Sequence, residues 1–294
     1  MRIGTHDGSF HADDVFAVAA LQRLDPAAKI VRSRDPQALA ACDVRVDVGL
    51  RSDPEVGDFD HHQKGGAGQR PSGIPYASFG LVWRLHGVEL CSGSERVAAE
   101  VEERLVQGVD AIDVGVSLTE SLIGALRPAT VNDVVAALNP AWDEPSGAAV
   151  LDARFGEAVG WAGQVLDRQI AIAAARDRAR GLVVAAIGRA EDPRFIELDR
   201  RMPWFEPVVT EAPDALYVIF PKRDGWGLQC VPEALGSFDN RSDLPEAWGG
   251  LAGAELAAVS GVADAVFCHP KRFVAAAESR DGVLALVREA LRVA

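Results

Sequence analysis

Residues 1–24, MRIGTHDGSFHADDVFAVAALQRL, lead from a short apolar strand into an amphipathic helix. We predict the strand at Met1–Thr5 and the helix at Asp13–Leu24, because apolar residues recur at helical spacing from Val15 to Ala20. A strand, a short polar turn and a helix, in this order, form the repeating unit of a parallel α/β sheet. The opening of the chain therefore predicts an α/β fold.

The following residues repeat this unit. Lys29–Arg32 and Val44–Val48 have the composition of strands, and a further short strand is expected at 57–60. Between the first two, Asp35-Pro36 predicts the start of a helix, with Asp as the N-cap and Pro at the first helical position. This part of the chain is expected to form a doubly wound, mainly parallel sheet.

The rest of the chain changes character twice. Residues 116–180 have a mostly helical, Ala-rich pattern, and from about residue 181 short apolar runs return. The expected strands there are Leu182–Ile187, Leu216–Phe220, Gly227–Val231 and Ala265–Cys268, and a final helix carries Val283, Val287 and Leu291 in step. We predict three regions: a metal-binding catalytic domain at 1–115, a helical connector at 116–180 and a smaller C-terminal α/β domain for substrate binding at 181–294.

Composition and charge exclude several classes of protein. The apolar fraction of 48% and the charged fraction of 25% are typical of globular proteins, and no apolar run approaches the roughly 18 residues of a membrane span. No signal or transit pattern opens the chain, so a cytoplasmic location is expected, and a homo-oligomer stays open. The four cysteines form no Cys-x-x-Cys pair, which excludes a zinc ribbon. The net charge of −13 argues against a protein that coats duplex nucleic acid.

Histidines are concentrated near the N-terminus, each close to a carboxylate. Four of the six lie within the first 62 residues. The candidate residues that follow the predicted strands are His6, His11, Asp13, Asp47, Asp60, His61 and His62. Ligands of a doubly wound sheet bind beyond the carboxyl ends of its strands, so these side chains are expected to converge. Imidazole and carboxylate together are ligands of divalent transition metals, and the pattern predicts a metal-dependent hydrolase.

Two further acids, Asp110 and Asp113, extend the predicted site. Asp110 and Asp113 lie three residues apart at the end of a helix predicted over 94–112, where the helix dipole disfavours carboxylates. A cation nearby would compensate them. Asp60 is a candidate acceptor that fixes the tautomer of a neighbouring imidazole, and His62 is a candidate for facing the substrate.

Cationic side chains are the candidates for substrate contact. Lys64 and Arg70 lie in a glycine-rich loop just after the predicted site and could close over a phosphate. In the C-terminal region, Arg241, His269 and Lys271 are expected to contribute to substrate binding. Ordinary surface charge is the competing interpretation for each of them.

Several motifs resemble those of the melanocyte-proliferating-gene family, which is related to the DHH phosphoesterase superfamily. The N-terminal motif is Gly4–Asp14, GTHDGSFHADD, and it is followed by VRSRDP at 31–36, VDVG at 46–49 and DHHQ at 60–63. The match continues with DAID at 110–113, SFDNR at 237–241, LPEAW at 244–248 and FCH at 267–269. The resemblance thus extends in order over nearly the whole chain.

The resemblance implies a DHH-like fold and a metal-dependent phosphohydrolase, with 3′-to-5′ exonuclease activity on RNA. The residues it carries over as ligands are His6, His11 and Asp47 for one cation and Asp13, Asp47, His61 and Asp113 for a second. Asp47 would bridge the two cations, and His62 would contact the substrate phosphate. Asp113 is preferred as the ligand over Asp110, which stays the alternative.

The residues alone leave three functions open. The first is a phosphodiesterase that acts on single-stranded RNA or short oligonucleotides through water activated by two cations, with Asp47, Asp60 and His62 in the catalytic centre. The second is hydrolysis of a small phosphorylated molecule such as pyrophosphate or a dinucleotide. The third is a non-catalytic metal- or nucleotide-binding module. Imidazole-rich ligation favours Mn²⁺ as the metal, with Mg²⁺ able to substitute.

Overall fold

The N-terminal sheet has five strands in the order β2-β1-β3-β5-β4. Its strands are β1 (Arg2–Thr5), β2 (Lys29–Arg32), β3 (Val44–Val46), β4 (Ser52–Asp53) and β5 (Asp58–Phe59). All neighbouring pairs are parallel except β4 with β5. The expected mainly parallel sheet is therefore present, and the α/β fold class is confirmed.

Helices cover this sheet and continue after it. They are α1 (Ala12–Leu24), α2 (Pro36–Ala40), α3 (Ser78–Leu90), α4 (Glu95–Val101), α5 (Gln107–Asp113), α6 (Val131–Ala136) and α7 (Ala148–Arg189). Asp35 caps α2 as predicted, because its side chain accepts a hydrogen bond from the backbone N–H of Gln37 at 3.0 Å. A π-helical stretch, Glu102–Val106, lies between α4 and α5.

The computed structural model describes all of residues 1–294, and they form two units, Met1–Ala174 and Ala175–Ala294. In the first unit, the buried face of α1 packs with α3 and with part of the region predicted as a connector. Val135, Phe155 and Leu166 from that region belong to the same hydrophobic core as Phe16 and Phe79. The first unit thus includes α6 and the N-terminal part of α7.

The second unit contains its own five-stranded sheet, in the order β6-β7-β8-β10-β9. Its strands are β6 (Phe195–Glu197), β7 (Tyr217–Lys222), β8 (Gly225–Cys230), β9 (Ala265–Cys268) and β10 (Val274–Ala277). Only β6 and β7 are parallel, and the other neighbours are antiparallel. The helices α8 (Phe205–Glu211), α9 (Gly253–Ser260) and α10 (Arg280–Ala290) complete this unit.

The strand predicted at Leu182–Ile187 is wrong, because these residues form part of α7. Their apolar side chains follow a helical period. Ala179, Val183 and Ala186 are spaced four and three residues apart, and all three are buried. A short apolar run fits a buried strand and a buried helical turn equally well, and the Ala-rich context settles it here. None of the helices, not even the longest, has the combination of length and apolar character needed to cross a membrane.

Candidate metal centre

The candidate residues follow the carboxyl ends of three parallel strands. His6 comes directly after β1, Asp47 directly after β3, and the triplet Asp60-His61-His62 directly after β5. Since these strands are neighbours in the sheet, their ends deliver the side chains to one edge. Asp47 adopts a left-handed backbone conformation with φ of 54°. Such strain in a residue other than glycine is concentrated at functional sites.

His6, His11 and Asp47 form the first group that could hold a metal ion, with their ligand atoms within 4.8 Å of one another. His6 is buried, and its Nε2 lies 3.4 Å from Asp47 Oδ2. His11 is exposed to solvent. Asp14 also faces this group, because its Oδ2 lies 3.1 Å from His6 Nε2. The sequence motif contained Asp14 but gave it no role.

Asp13, His61 and Asp113 form a second group of the same kind. His61 Nε2 lies 3.2 Å from Asp113 Oδ2 and 3.9 Å from Asp13 Oδ2. It is also 3.2 Å from Asp47 Oδ1, while the other oxygen of Asp47 faces His6. Asp47 therefore lies between these two groups and contacts both, and with His61 and His62 it forms a third group that could hold a metal ion.

The donor atoms in these groups fit a bound cation. His6 Nδ1 lies 2.9 Å from the carbonyl oxygen of Asp7. A carbonyl only accepts, so Nδ1 carries the proton and a neutral His6 presents its Nε2 lone pair to the carboxylates. His61 Nε2 and Asp14 Oδ2 are buried without a hydrogen-bond partner of acceptable geometry, although oppositely charged atoms lie close by. The groups could thus hold metal ions, with an imidazole and carboxylate ligand set.

The buried carboxylates of the centre also require positive charge nearby. Asp13 is wholly buried, and burial together with the charges of Asp47 and Asp113 raises its pKa well above the usual value. Burial lowers the pKa of His6, but the nearby carboxylates of Asp14 and Asp47 outweigh this and raise it to about 10. Protonated imidazoles therefore compensate the carboxylates when no metal is bound, and a bound cation would take their place.

The N-terminus of α3 holds two of the acids. The backbone N–H groups of Ser78 and Phe79 donate to the two oxygens of Asp13 at 2.9 and 2.7 Å. The N–H of Gly80 donates to Asp110 Oδ1 at 3.0 Å. A side chain at position 80 would overlap the Asp110 carboxylate. This helix start could not be predicted from the sequence, because its N-cap, Ala77, has no capping side chain and the two acids satisfy the N–H groups instead.

The structure separates Asp110 from Asp113. Asp110 is buried, and its Oδ2 lies 2.8 Å from Nη2 of Arg70. Burial raises the pKa of Asp110 to about 7 against the opposing charge of Arg70. Arg70 is itself buried, pairs with Glu102 and lies 4.2 Å from the ring of Tyr76. Arg70 is thus fixed inside the first unit, in contrast to the expectation that it could close over a phosphate.

Asp60 connects His62 to the preceding loop. Its Oδ1 lies 2.8 Å from His62 Nδ1 and accepts the His62 backbone N–H at 3.0 Å. Its Oδ2 accepts the N–H of Leu50 at 2.6 Å. The His62 side chain is half exposed. This arrangement holds the imidazole in one orientation at the edge of the centre.

Two residues far along the chain hold the turn that carries His6 and His11. Arg32 donates to the carbonyl of Gly8 at 2.5 Å and lies over the ring of Phe155 at 4.6 Å. The side chain of Asn139 accepts the N–H of Phe10 at 3.1 Å and donates to its carbonyl at 2.9 Å. Neither residue was singled out from the sequence, since the pairing of Asn139 with Phe10 spans 129 positions.

The predicted substrate residues have varied surroundings. Lys64 is exposed in the loop that follows His62. In the second unit, Arg241 donates to the carbonyls of Val209, Ala212 and Ala215, at the C-terminal end of α8. His269 Nδ1 accepts the backbone N–H of Lys271 at 3.1 Å, and the Lys271 side chain is exposed. Substrate binding by these residues stays a prediction.

Comparison with known proteins shows the family to which the chain belongs. Residues 2–291 match a family model described as Uncharacterised protein family (UPF0160). The chain belongs to this family. It is 34% identical to the human MYG1 exonuclease, over 99% of this chain and 85% of the human protein. It is also 34% identical to the MYG1 protein of Chlamydia trachomatis, over 95% of this chain and 92% of that protein. The resemblance drawn from the motifs is confirmed.

Proposed function

We propose that this chain is a metal-dependent phosphodiesterase that removes nucleotides from the 3′ end of RNA or short oligonucleotides. The observation that carries the proposal is the position of Asp47, whose two oxygens face His6 on one side and His61 on the other. A carboxylate shared between two metal-binding groups is suited to a pair of cations. The name of the human relative, MYG1 exonuclease, supports the exonuclease activity.

Each residue of the centre has a distinct role in the proposed reaction. The ligands would be His6, His11 and Asp47 for one cation and Asp13, Asp47, His61 and Asp113 for the other. Bound cations would supply Lewis acidity and lower the pKa of water near the phosphorus. His62, oriented by Asp60, would donate a hydrogen bond to a phosphoryl oxygen and stabilise the charge that develops there. The α3 N-terminus holds Asp13 in place. Imidazole-rich ligation favours Mn²⁺, and Mg²⁺ is the alternative.

Hydrolysis of a small phosphorylated molecule is the second candidate. The net charge of −13 favours it, because an acidic chain attracts a long polyanion less than a small, metal-bound substrate. We also propose a cytoplasmic location.

The experiment that tests the proposal is Mn²⁺-dependent cleavage of RNA labelled at its 5′ end, with pyrophosphate and a dinucleotide in parallel. Stepwise shortening of the labelled strand is expected. Asp47→Asn and His61→Ala should abolish it. His86→Ala is the matched control, since His86 lies on α3 with only Glu89 as an ion-pair partner.

Three outcomes would contradict the proposal. Cleavage of only the small substrates would favour the second candidate. Metal binding without turnover of any substrate would favour a non-catalytic module. Wild-type turnover in Asp47→Asn or His61→Ala would remove these residues from the reaction.

A further inference from the structure

A cavity of about 690 Å³ adjoins the metal centre in the first unit. One part of its lining consists of the centre itself, with His6, His11, Asp47, Asp60 and His62. The other part contains the apolar residues Pro36, Leu39, Ala40, Val48 and Leu50, together with Ser9, Gly49 and the two arginines Arg34 and Arg45. Arg45 is already paired with Asp58. Its volume lies within the about 300–1,000 Å³ that small-molecule sites occupy. A ligand bound at the centre would therefore have room to extend over an apolar wall.

Leu50 is the unusual residue of this wall. Its side chain is 67% exposed, and its backbone has a φ of 57°, in the left-handed region. A bulky side chain rarely adopts this conformation, and an exposed leucine gains nothing from the core. The hydrogen bond from its N–H to Asp60 Oδ2 holds it there. The carboxylate that orients His62 thus also positions an apolar side chain at the mouth of the cavity.

Arg34 gives the same wall a positive charge. Its side chain is 66% exposed, and its ion pair is with Asp7, 3.3 Å from Nε. The outer nitrogens of the guanidinium are therefore available for a sugar hydroxyl or a phosphate. The cavity combines a metal centre, an apolar wall and a cation. A nucleotide presents the complementary groups: a phosphate, a hydrogen-bonding sugar and an apolar base face. Pyrophosphate has nothing to place against Leu50 and Leu39.

We propose that this cavity binds the sugar and base of the terminal nucleotide whose phosphate lies at the metal centre, with Leu50 against the base. The inference rests on the proposed function, because it requires a phosphate at the centre. It adds that the sugar and base of one nucleotide are held within the first unit. The base is held by apolar contact, so binding tolerates any of the four bases.

The test measures equilibrium binding by calorimetry in the presence of Mn²⁺, using the full chain. Adenosine 5′-monophosphate and ribose 5-phosphate are the two probes, and they differ at the anomeric carbon, which carries adenine in the first and a hydroxyl in the second. Wild type should bind the first more tightly by about fivefold or more, the range expected for one base against an apolar or aromatic face. Leu50→Gly should reduce this ratio and leave the binding of ribose 5-phosphate unchanged.

Leu50→Gly is chosen because glycine accepts a positive φ without strain, so the variant should keep its thermal stability. Leu122→Gly is the control, since Leu122 is 93% exposed in the same unit and does not line the cavity. Equal binding of the two probes by wild type, no binding of either, or an unchanged preference in Leu50→Gly would overturn the inference. Its failure is distinct from that of the proposed function. If RNA is cleaved but the two probes bind equally, only the subsite is removed; if adenosine 5′-monophosphate binds more tightly than ribose 5-phosphate but RNA is not cleaved, only the exonuclease is removed.

Discussion

Replacing Asp113 by Asn should weaken Mn²⁺ binding strongly, whereas replacing Asp110 by Asn should weaken it only slightly. The two acids are three residues apart on one helix, yet only Asp113 belongs to a group that could hold a metal ion. Its Oδ2 lies 3.2 Å from His61 Nε2, whereas Asp110 lies against Arg70. Both substitutions keep the shape of the side chain and remove its charge. We expect Asp113→Asn to lose Mn²⁺ affinity and Asp110→Asn largely to keep it.

The size of the effect follows from the role of each carboxylate. Mutating a residue that only supports a metal ligand costs about 10–100-fold in affinity, so loss of the ligand Asp113 should cost about 100-fold or more. Asp110 acts on the centre only through its charge near Asp13, and less than about tenfold is expected. At a Mn²⁺ concentration of about 100 times the wild-type dissociation constant, the metal stabilises the wild-type fold by about 2.7 kcal/mol. The same concentration should give at most about 0.4 kcal/mol in Asp113→Asn and at least about 1.4 kcal/mol in Asp110→Asn.

Both variants should fold without metal. Asp113→Asn removes a charge that raises the pKa of Asp13, but it also removes a carboxylate partner of His61, so the two effects on metal-free stability oppose each other and the net change should be small. Asn at position 110 keeps an oxygen that can accept the N–H of Gly80, and Arg70 keeps Glu102 as its ion-pair partner. The assay is chemical denaturation with and without Mn²⁺, together with calorimetric titration of the metal. The reasoning is refuted if Asp110→Asn abolishes Mn²⁺ binding while Asp113→Asn retains it.

Three further predictions concern the neighbourhood of the centre. Gly80→Ala should lower the free energy of unfolding by about 1–3 kcal/mol or more, because a methyl group there overlaps a buried carboxylate. Gly156→Ala, in open space on a helix, should be neutral or stabilising in the same denaturation experiment. Mn²⁺ should bind more tightly as the pH rises from about 6 to about 8, because the pKa of about 10 for His6 and His61 means that metal must displace protons. Titrations in buffers of different ionisation enthalpy measure that release, and a pH-independent affinity would contradict it. Asn139→Ala should weaken Mn²⁺ binding about tenfold, because it releases the turn that carries His6 and His11. Unchanged metal affinity would show that this turn keeps its position without Asn139.

The sequence predicted the centre because its evidence is local. His6, Asp47 and His61 each follow an apolar strand, and the rule that parallel strands end at one edge brings them together without knowledge of packing. The fold class follows in the same way from alternating strands and helices. The motif at 60–63 added specificity that composition alone lacks.

The remaining parts depend on contacts between distant residues. Arg70 was expected to be a loop cation because glycines surround it, but it is buried against Asp110 and Glu102, which lie more than 30 residues away in the chain. The role of Asp14 depends on the orientation of its side chain towards His6, which spacing does not encode. Leu182–Ile187 was misassigned because a run of six apolar or small residues is too short to show whether its period is that of a strand or of a helix.

The start of α3 gives the protein a built-in reporter of its own opening. Amides in the first turn of a helix have no intrahelical partner and normally exchange their hydrogens with solvent quickly. Here the amides of Ser78, Phe79 and Gly80 are bonded to buried carboxylates. Their exchange requires that the hydrogen bonds to Asp13 and Asp110 break. The hydrogen-exchange rates of these three consecutive amides therefore measure how often the centre opens, in the absence of any substrate.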